Sequence, residues 1–237
     1  MGLRVVSLVP SVTETLAAWG VVPVACTRFC ERPDLVHVGG TKNPDVRAIA
    51  DLAPDLVVVD RHENRREDAE ELVRAGIHLV VLDVGSLEEL ACAMDDLATA
   101  VGVGPVSPPV APLVSAPLAV RAFVPIWRRP WMTIGAHTYG TSLLDAIGVV
   151  NVYADSADPY PEVTLEDAAG CGADVVLVPS EPYDFRDAHV RELEVVAPVV
   201  RVDGQDLFWW GARTVGAAQR LHRSIGERLG EDGTLLG

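Results

Sequence analysis

Hydrophobic and polar positions along the chain alternate between two periods. Short, mainly apolar runs such as Val5 to Leu8, interrupted only by Ser7, and Leu56 to Val59 have the pattern of a strand buried on both faces. Between them lie segments with the helical period, most of them announced by a capping signal and closed by glycine. Pro10-Ser11 opens the first, with Ser11 as N-cap, Glu14 completing a capping box and Gly20 as the stop. Asn43-Pro44 starts the second, with proline at its favoured first position. Asp55 to Asp60 is the next strand. Asn64 with Glu67 caps a helix that ends at Gly76, Ile77 to Leu82 is again strand, and Ser86 with Glu89 caps a helix reaching Val101.

After residue 118 the order restarts. Val120 to Ile126 reads as strand, and a helix around Thr141 to Ile147 stops at Gly148. Thr164 with Asp167 caps a short helix before the strand Asp174 to Val178. A helix over Asp187 to Val195, a strand over Val199 to Val202 and a helix from Trp210 to Leu229 complete the chain. The halves echo one another: Pro54-Asp55 leads into one buried strand and Ala173-Asp174 into the other, and each half ends a later strand on an aspartate, Asp83 or Asp203. Strands alternating with helices predict an α/β fold of two similar lobes, each a mainly parallel sheet flanked by helices, facing one another across a cleft. The expected boundaries are 1–102 for the N-terminal lobe, 103–118 for a short stiff connector and 119–237 for the C-terminal lobe. The connector rests on Pro105, Pro108, Pro109, Pro112 and Pro117.

A net charge of −15 argues against nucleic acid as a partner. No stretch is apolar for the length of a membrane span. The start, Met1-Gly2-Leu3-Arg4, lacks the basic and long apolar regions of an export signal, so the expected location is the cytoplasm unless a leader was removed. Cys26, Cys30, Cys92 and Cys171 show no framework spacing, and Cys26 and Cys30 are four apart rather than in a C-x-x-C motif. Buried free thiols are the expectation for them. There is no phosphate-binding, nucleophile-elbow, metalloprotease or dinucleotide glycine motif. Asp60 with Glu63, or Glu162 with Glu166, could pair as acid and base, but only nearness in sequence marks them.

Ser7-Leu-Val-Pro-Ser11, Gly39-Gly-Thr-Lys-Asn-Pro44, Pro54-Asp-Leu-Val-Val-Val59 and Asn64 to Glu67 follow one another in order. Pro130-Trp-Met-Thr133, Gly148 with Asn151-Val152, and Trp209-Trp-Gly211 come later. This series resembles the helical-backbone metal receptors, the class III solute-binding proteins that include cobalamin, heme and ferric-siderophore receptors. The resemblance implies non-catalytic binding of a compact metal chelate or corrinoid-type ligand in the interlobe cleft, and an ABC importer as partner. It leaves any cofactor and any directly bound metal unspecified. The family's linking segment is a long helix, whereas this connector is short and rich in proline. The resemblance implies importer docking through an acidic residue on each lobe; Glu67 or a neighbour could serve in the first, but the matching stretch of the second reads Phe208-Trp209-Trp210. These departures motivate a second reading, an intracellular enzyme or biosynthetic accessory protein that reuses the cleft.

In parallel α/β sheets ligands sit at the carboxyl ends of strands. That rule selects Ser11, Arg28, Lys42, Asn43, Arg61 and His62 in the first lobe, and Trp127, Arg128, Trp131, His137, Tyr139, Tyr183 and Trp209 in the second. Apart from Trp19 and Phe29, every aromatic residue lies after residue 122, mostly on these loops. Singly, each is more often a packing residue. As a group, Trp127, Trp131, Tyr139, Tyr183 and Trp209 are expected to form one wall for a flat or macrocyclic ligand. Arg28, Lys42, Arg61, Arg128 and Arg129 are expected at the rim, where they would suit ligand carboxylates unless nearby acids already pair with them. His62 and His137 could ligate a metal or stack on a ligand, although a lone loop histidine is more often solvated.

Overall fold

The computed structural model describes residues 2–104, 106 and 112–231. The chain divides into two compact units, Met1–Pro108 with Trp210–Ala212, and Pro109–Trp209 with Arg213–Gly237. Of the expected connector, Pro105, Pro108 and Pro109 lie outside the described residues.

In the first unit the chain runs β1 (Val5–Ser7), α1 (Pro10–Ala18), β2 (Ala25–Cys26), β3 (Val36–His37), β4 (Gly39–Gly40) and β5 (Asn43–Pro44). It continues through α2 (Val46–Asp51), β6 (Leu56–Asp60), α3 (Arg66–Arg74), β7 (Leu79–Leu82) and α4 (Leu87–Val101). The strands form a parallel sheet in the order β3-β2-β1-β6-β7, with β4 and β5 as a separate antiparallel hairpin. Every side chain of β1 and β6 is buried, Ser7 and Asp60 included, as befits adjacent strands inside a parallel sheet. Val6, Leu8, Val57 and Val59 pack with Ile49 of α2 and Leu72 of α3 in one core.

The second unit begins with β8 (Val120–Phe123), β9 (Pro125–Trp127), β10 (Trp131–Thr133), α5 (Tyr139–Ala146), β11 (Val149–Asn151) and β12 (Glu162–Val163). It ends with α6 (Leu165–Gly170), β13 (Val175–Pro179), α7 (Asp187–Leu193), β14 (Val199–Val202), α8 (Gly204–Phe208) and α9 (Thr214–Glu231). Its parallel sheet has the order β11-β8-β13-β14. A second, antiparallel sheet, β12-β10-β9, carries Trp127 and Trp131. The α/β class with mainly parallel sheets and helices on them is therefore observed in both units.

The echo between the halves has a concrete form. Before β1, the Arg4 amide donates to Asp55 Oδ2 at 2.6 Å, and its guanidinium donates to the Leu52 and Ala53 carbonyls. At the second residue of β8, the Arg121 amide donates to Asp174 Oδ2 at 2.8 Å, and its guanidinium donates to the Cys171 and Gly172 carbonyls. The same arginine and aspartate clasp thus fastens the entrances of the two central strands in each unit.

Several expectations are corrected. The first helix starts one residue before Ser11, at Pro10; Val9 is its N-cap, and no side chain caps it. Proline at the first position needs no partner for a missing N–H, so the cap is dispensable. Asn43-Pro44 is strand rather than helix start, because the hairpin β4–β5 claims it, and Asp45 caps α2 by accepting from the Ala48 amide. Asn64 is not a cap either; α3 starts at Arg66, and Asn64 is used elsewhere. The strand expected over Val120 to Ile126 breaks at Val124 into β8 and β9. The last helix begins at Thr214, preceded by α8 and by Trp210–Ala212, which pack with the first unit: the Ala212 amide donates to Thr15 Oγ1 at 3.1 Å.

Gly148 closes α5 at φ 82°, where a Cβ would overlap the Leu118 carbonyl oxygen. Both the left-handed backbone and the contact exclude a side chain. Gly148→Ala is expected to destabilise the protein by at least about 2 kcal/mol. Urea unfolding followed by circular dichroism checks this, and an unchanged midpoint would contradict it.

Candidate functional site

In the first unit the segments that follow the carboxyl ends of β1, β3 and β6 are held together by one amide. Asn64 Nδ2 donates to the Leu8 carbonyl at 3.2 Å and to the Thr41 carbonyl at 2.9 Å, while its Oδ1 accepts from the Asp60 amide at 2.9 Å. This connects the end of β1, the β4–β5 hairpin and the turn after β6. Lys42 reaches from the hairpin to the same turn, its Nζ donating to the His62 carbonyl at 2.8 Å. Arg61 and His62 both face Asp83, at 3.2 and 3.4 Å. Lys42, Arg61 and His62 are therefore brought together. Arg28 joins the hairpin by its amide, which donates to the Gly39 carbonyl at 2.9 Å, and its guanidinium lies 4.9 Å from the centre of the Phe29 ring. Asn43 belongs to that hairpin and is exposed, whereas Ser11 is buried within the first turn of α1.

Asp60 sits at the centre of this turn, 1% exposed. Its Oδ1 accepts from the His62 and Glu63 amides, and its Oδ2 is buried with no partner. Burial pushes the carboxyl up to about 6, although the two backbone amides pull the other way. Burial and the Asp60 carboxylate also push up Glu63. Sequence reasoning noted these two acids as neighbours but had no signal for the turn that buries them.

The second unit gathers an aromatic surface. The ring of Trp127, on β9, meets Tyr183 edge-on at 5.1 Å between centroids. Tyr183 packs on Phe185 at 4.8 Å, and Phe185 stacks parallel on Trp131 at 6.1 Å. His189, from α7, lies against both Tyr183 and Phe185. Trp127 is 45% exposed while Phe185 is buried, so the cluster has a solvent face and an anchored base. Arg128 crosses Trp131 at 5.8 Å and is held in a two-pronged ion pair by Glu192, at 2.9 and 2.7 Å. That pairing raises the Arg128 pKa and lowers that of Glu192.

Tyr139 and Trp209 are not part of this cluster. Tyr139 is buried, and its hydroxyl shares a hydrogen bond with Thr214 at 2.9 Å. Trp209 is also buried, with its indole N–H donating to Glu181 at 2.7 Å and Arg213 lying 5.0 Å from its ring centre. His137 is exposed, in a left-handed backbone conformation at φ 53° just before α5. Phe185 and His189 were missed from sequence. The spacing Tyr183-x-Phe185 was the available signal, since alternate residues of an extended segment share a face. Among the described residues no group of three or more histidine, cysteine or acidic side chains could hold a metal ion.

The folded chain holds the Asp60 proton more tightly than an unfolded chain does. The group therefore contributes stability below its ordinary value of 3.8 and loses that contribution as pH rises through about 6. Asp60→Asn keeps the acceptor for the His62 and Glu63 amides without the charge. It is expected to be more stable than the parent at about pH 7, by about 1–3 kcal/mol, with the gap closing near pH 4. Urea denaturation at the two pH values measures this; a gap that did not change with pH would refute the assignment.

Comparison with known proteins places these sites in a family context. Residues 5–103 match the family model described as periplasmic binding protein. The vitamin B12-binding protein of Salmonella paratyphi A is 27% identical over 194 residues, covering 74% of this chain and 71% of the relative. The vitamin B12-binding protein of Yersinia pestis (strain Pestoides F) is 25% identical over 236 residues, covering 92% of this chain and 84% of the relative. In structure, the periplasmic vitamin B12 binding protein of Vibrio cholerae superimposes with a TM-score of 0.75 at 20% identity, over 95% of this chain and 97% of the other. The periplasmic heme binding protein of Vibrio cholerae does so with a TM-score of 0.75 at 19% identity, over 94% and 98%. Residues 5–103 thus resemble the periplasmic binding protein family in sequence, and nearly the whole chain shares the fold of these solved structures.

Proposed function

We propose that this chain binds, without converting it, a compact metal chelate or corrinoid-type ligand such as cobalamin, heme or a ferric siderophore. The observation that carries the reading is the aromatic surface Trp127-Tyr183-Phe185-Trp131, anchored below and open above. Large rigid rings held in place by their neighbours offer a flat ligand contact area at little entropic cost. The relatives named above, whose names give vitamin B12 and heme as what they bind, support the same ligand class. Delivery to an ABC importer follows from this reading, and a neighbour from Listeria monocytogenes is an ABC transporter substrate-binding protein.

Within that class a corrinoid, whose periphery is largely neutral amide, fits better than a dicarboxylate. Arg128 spends its charge on Glu192, Arg61 faces Asp83, and Lys42 is turned to a backbone carbonyl. An anionic ligand would have to compete with Glu192 for Arg128 and with Asp83 for Arg61.

Titration with cyanocobalamin, heme and a ferric siderophore, followed by visible absorbance and thermal shift, tests the reading. Stabilisation that grows with ligand concentration is expected for cyanocobalamin in particular. No response to any of the three would refute it. Trp127→Ala is expected to weaken binding by about tenfold or more with the melting temperature of the free protein unchanged, since the ring is half exposed. Equal affinity in the variant and the parent would remove Trp127 from the site.

A further inference from the structure

The sheet of the first unit ends on β7, which pairs only with β6. The Val57 amide donates to the His78 carbonyl at 2.9 Å and the Arg61 amide to the Leu82 carbonyl at 3.0 Å, so the even-numbered residues here turn their backbone groups toward β6. Alternate residues of a strand turn theirs the other way. The N–H and C=O groups of Leu79 and Val81 therefore point off the edge, where no strand pairs with them among the described residues. Natural sheets blunt such an edge with a charge, a proline, a bulge or a very short strand. The opposite edge, β3, is only two residues long, and β14, an edge of the other parallel sheet, carries Arg201. β7 runs Leu79-Val-Val-Leu82 with none of these devices.

Beside this edge lies a groove of about 810 Å³ between β7 and α3. Val59, Leu79 and Val81 form its floor, since residues two apart in a strand share a face, and Ala69 and Val73 of α3 form a wall. Val81 is 50% and Val73 57% exposed, so this apolar surface stays uncovered. The rim is basic in a chain of net charge −15: four arginines line the groove, with only Asp60 and Glu70 as acids. Arg61 and Arg65 are held by Asp83 and Asp68, which lie outside it. Arg74, in the last turn of α3, pairs with no acid among the described residues. Arg66 pairs with Glu70 at 2.8 Å, but both side chains are largely exposed, so the pair is weak and readily exchanged for another carboxylate.

We propose that the groove docks an extended acidic segment of a partner protein, which adds to the sheet as a strand beside β7. Its backbone pairs with the outward N–H and C=O groups of Leu79 and Val81, and every second side chain falls into the groove. Apolar side chains there cover Val73 and Val81, and a carboxylate meets Arg74 or Arg66. The open backbone edge selects an extended chain over a helix, and the basic rim selects an acidic one. A second copy of this chain, paired β7 to β7, would set the arginines of two α3 helices across one groove, which like charge opposes. No side chain of the aromatic surface lines this groove, so docking does not depend on which chelate is bound.

The test uses the full chain and a fluorescein-labelled synthetic peptide of about eight residues, alternating valine and threonine with glutamate at both ends. Saturable binding is expected by fluorescence anisotropy, with hydrogen exchange at the Leu79 and Val81 amides slowed in the complex. The peptide N-methylated at alternate amides, in one of its two phases, is expected to bind at least about tenfold more weakly, as is a version with lysine for glutamate. Val81→Pro removes an outward amide without touching the ladder to β6. It is expected to lower affinity at least about tenfold while keeping the melting curve of the parent. Arg74→Glu is expected to weaken the glutamate peptide and strengthen the lysine one. No binding at about 1 mM peptide, N-methylated peptides that bind as well as the parent peptide, or self-association of the chain that Val81→Pro abolishes would each overturn the proposal. If Val81→Pro does not fold, the N-methylated peptides decide on the unaltered chain alone.

Discussion

Each unit is organised around a pair of adjacent parallel strands, β1 with β6 and β8 with β13. Their side chains are nearly all buried, so both faces of the sheet must be covered by helices or by further chain. Parallel pairing also sends every crossover back to the same edge, so the strands' carboxyl ends, with the loops that follow them, collect on one side of each sheet. The Arg4–Asp55 and Arg121–Asp174 clasps hold the opposite ends in register. Candidate binding residues on those loops are a consequence of this constraint rather than a separate feature.

The two loop sets are chemically different. In the first unit, polar groups are mostly spent on one another: Asn64 joins three segments, Lys42 caps a carbonyl, and Asp60 turns the chain while keeping one oxygen without a partner. Such an arrangement fixes loop shape, at the cost of an unsatisfied buried carboxyl oxygen. In the second unit, Trp127 and Trp131 of the antiparallel sheet β12-β10-β9 meet Tyr183 and Phe185 from the segment after β13, with Arg128 paired to Glu192 beside them. A surface that is aromatic and nearly uncharged suits a large ligand recognised by shape and contact area more than by charge.

Much of the architecture was legible in the chain. Apolar runs of four or five residues identified β6 and β13, shorter runs broken by Ser7 or Arg201 identified β1 and β14, and the caps at Ser86 and Thr164 are made as the spacing predicts. The local signals at Ser11, Asn43 and Asn64 misled, and for a shared reason. Serine, asparagine and proline satisfy a helix start, a hairpin or a long-range tie equally well in local terms. Which use prevails depends on segments far along the chain: Asn64 bonds Leu8, 56 residues away. The aromatic group was legible as a composition bias, but not its membership. Tyr139 and Trp209 share the loop positions of Trp127 and Tyr183, yet each turns inward to a polar partner.

The sequence by itself therefore determined the alternation of strands and helices, the duplicated order of elements and the class of loop that carries the candidate site. These follow from local periodicity and from the burial that apolar runs demand. The tertiary structure alone decided which side chains converge. It selected Phe185 and His189 for the aromatic surface, set the Arg128–Glu192 pair across 64 residues, and brought the Thr13 hydroxyl to the sulfur of Cys30. Convergence of this kind is a property of packing between distant segments, to which a one-dimensional pattern of polar and apolar residues carries no distance information.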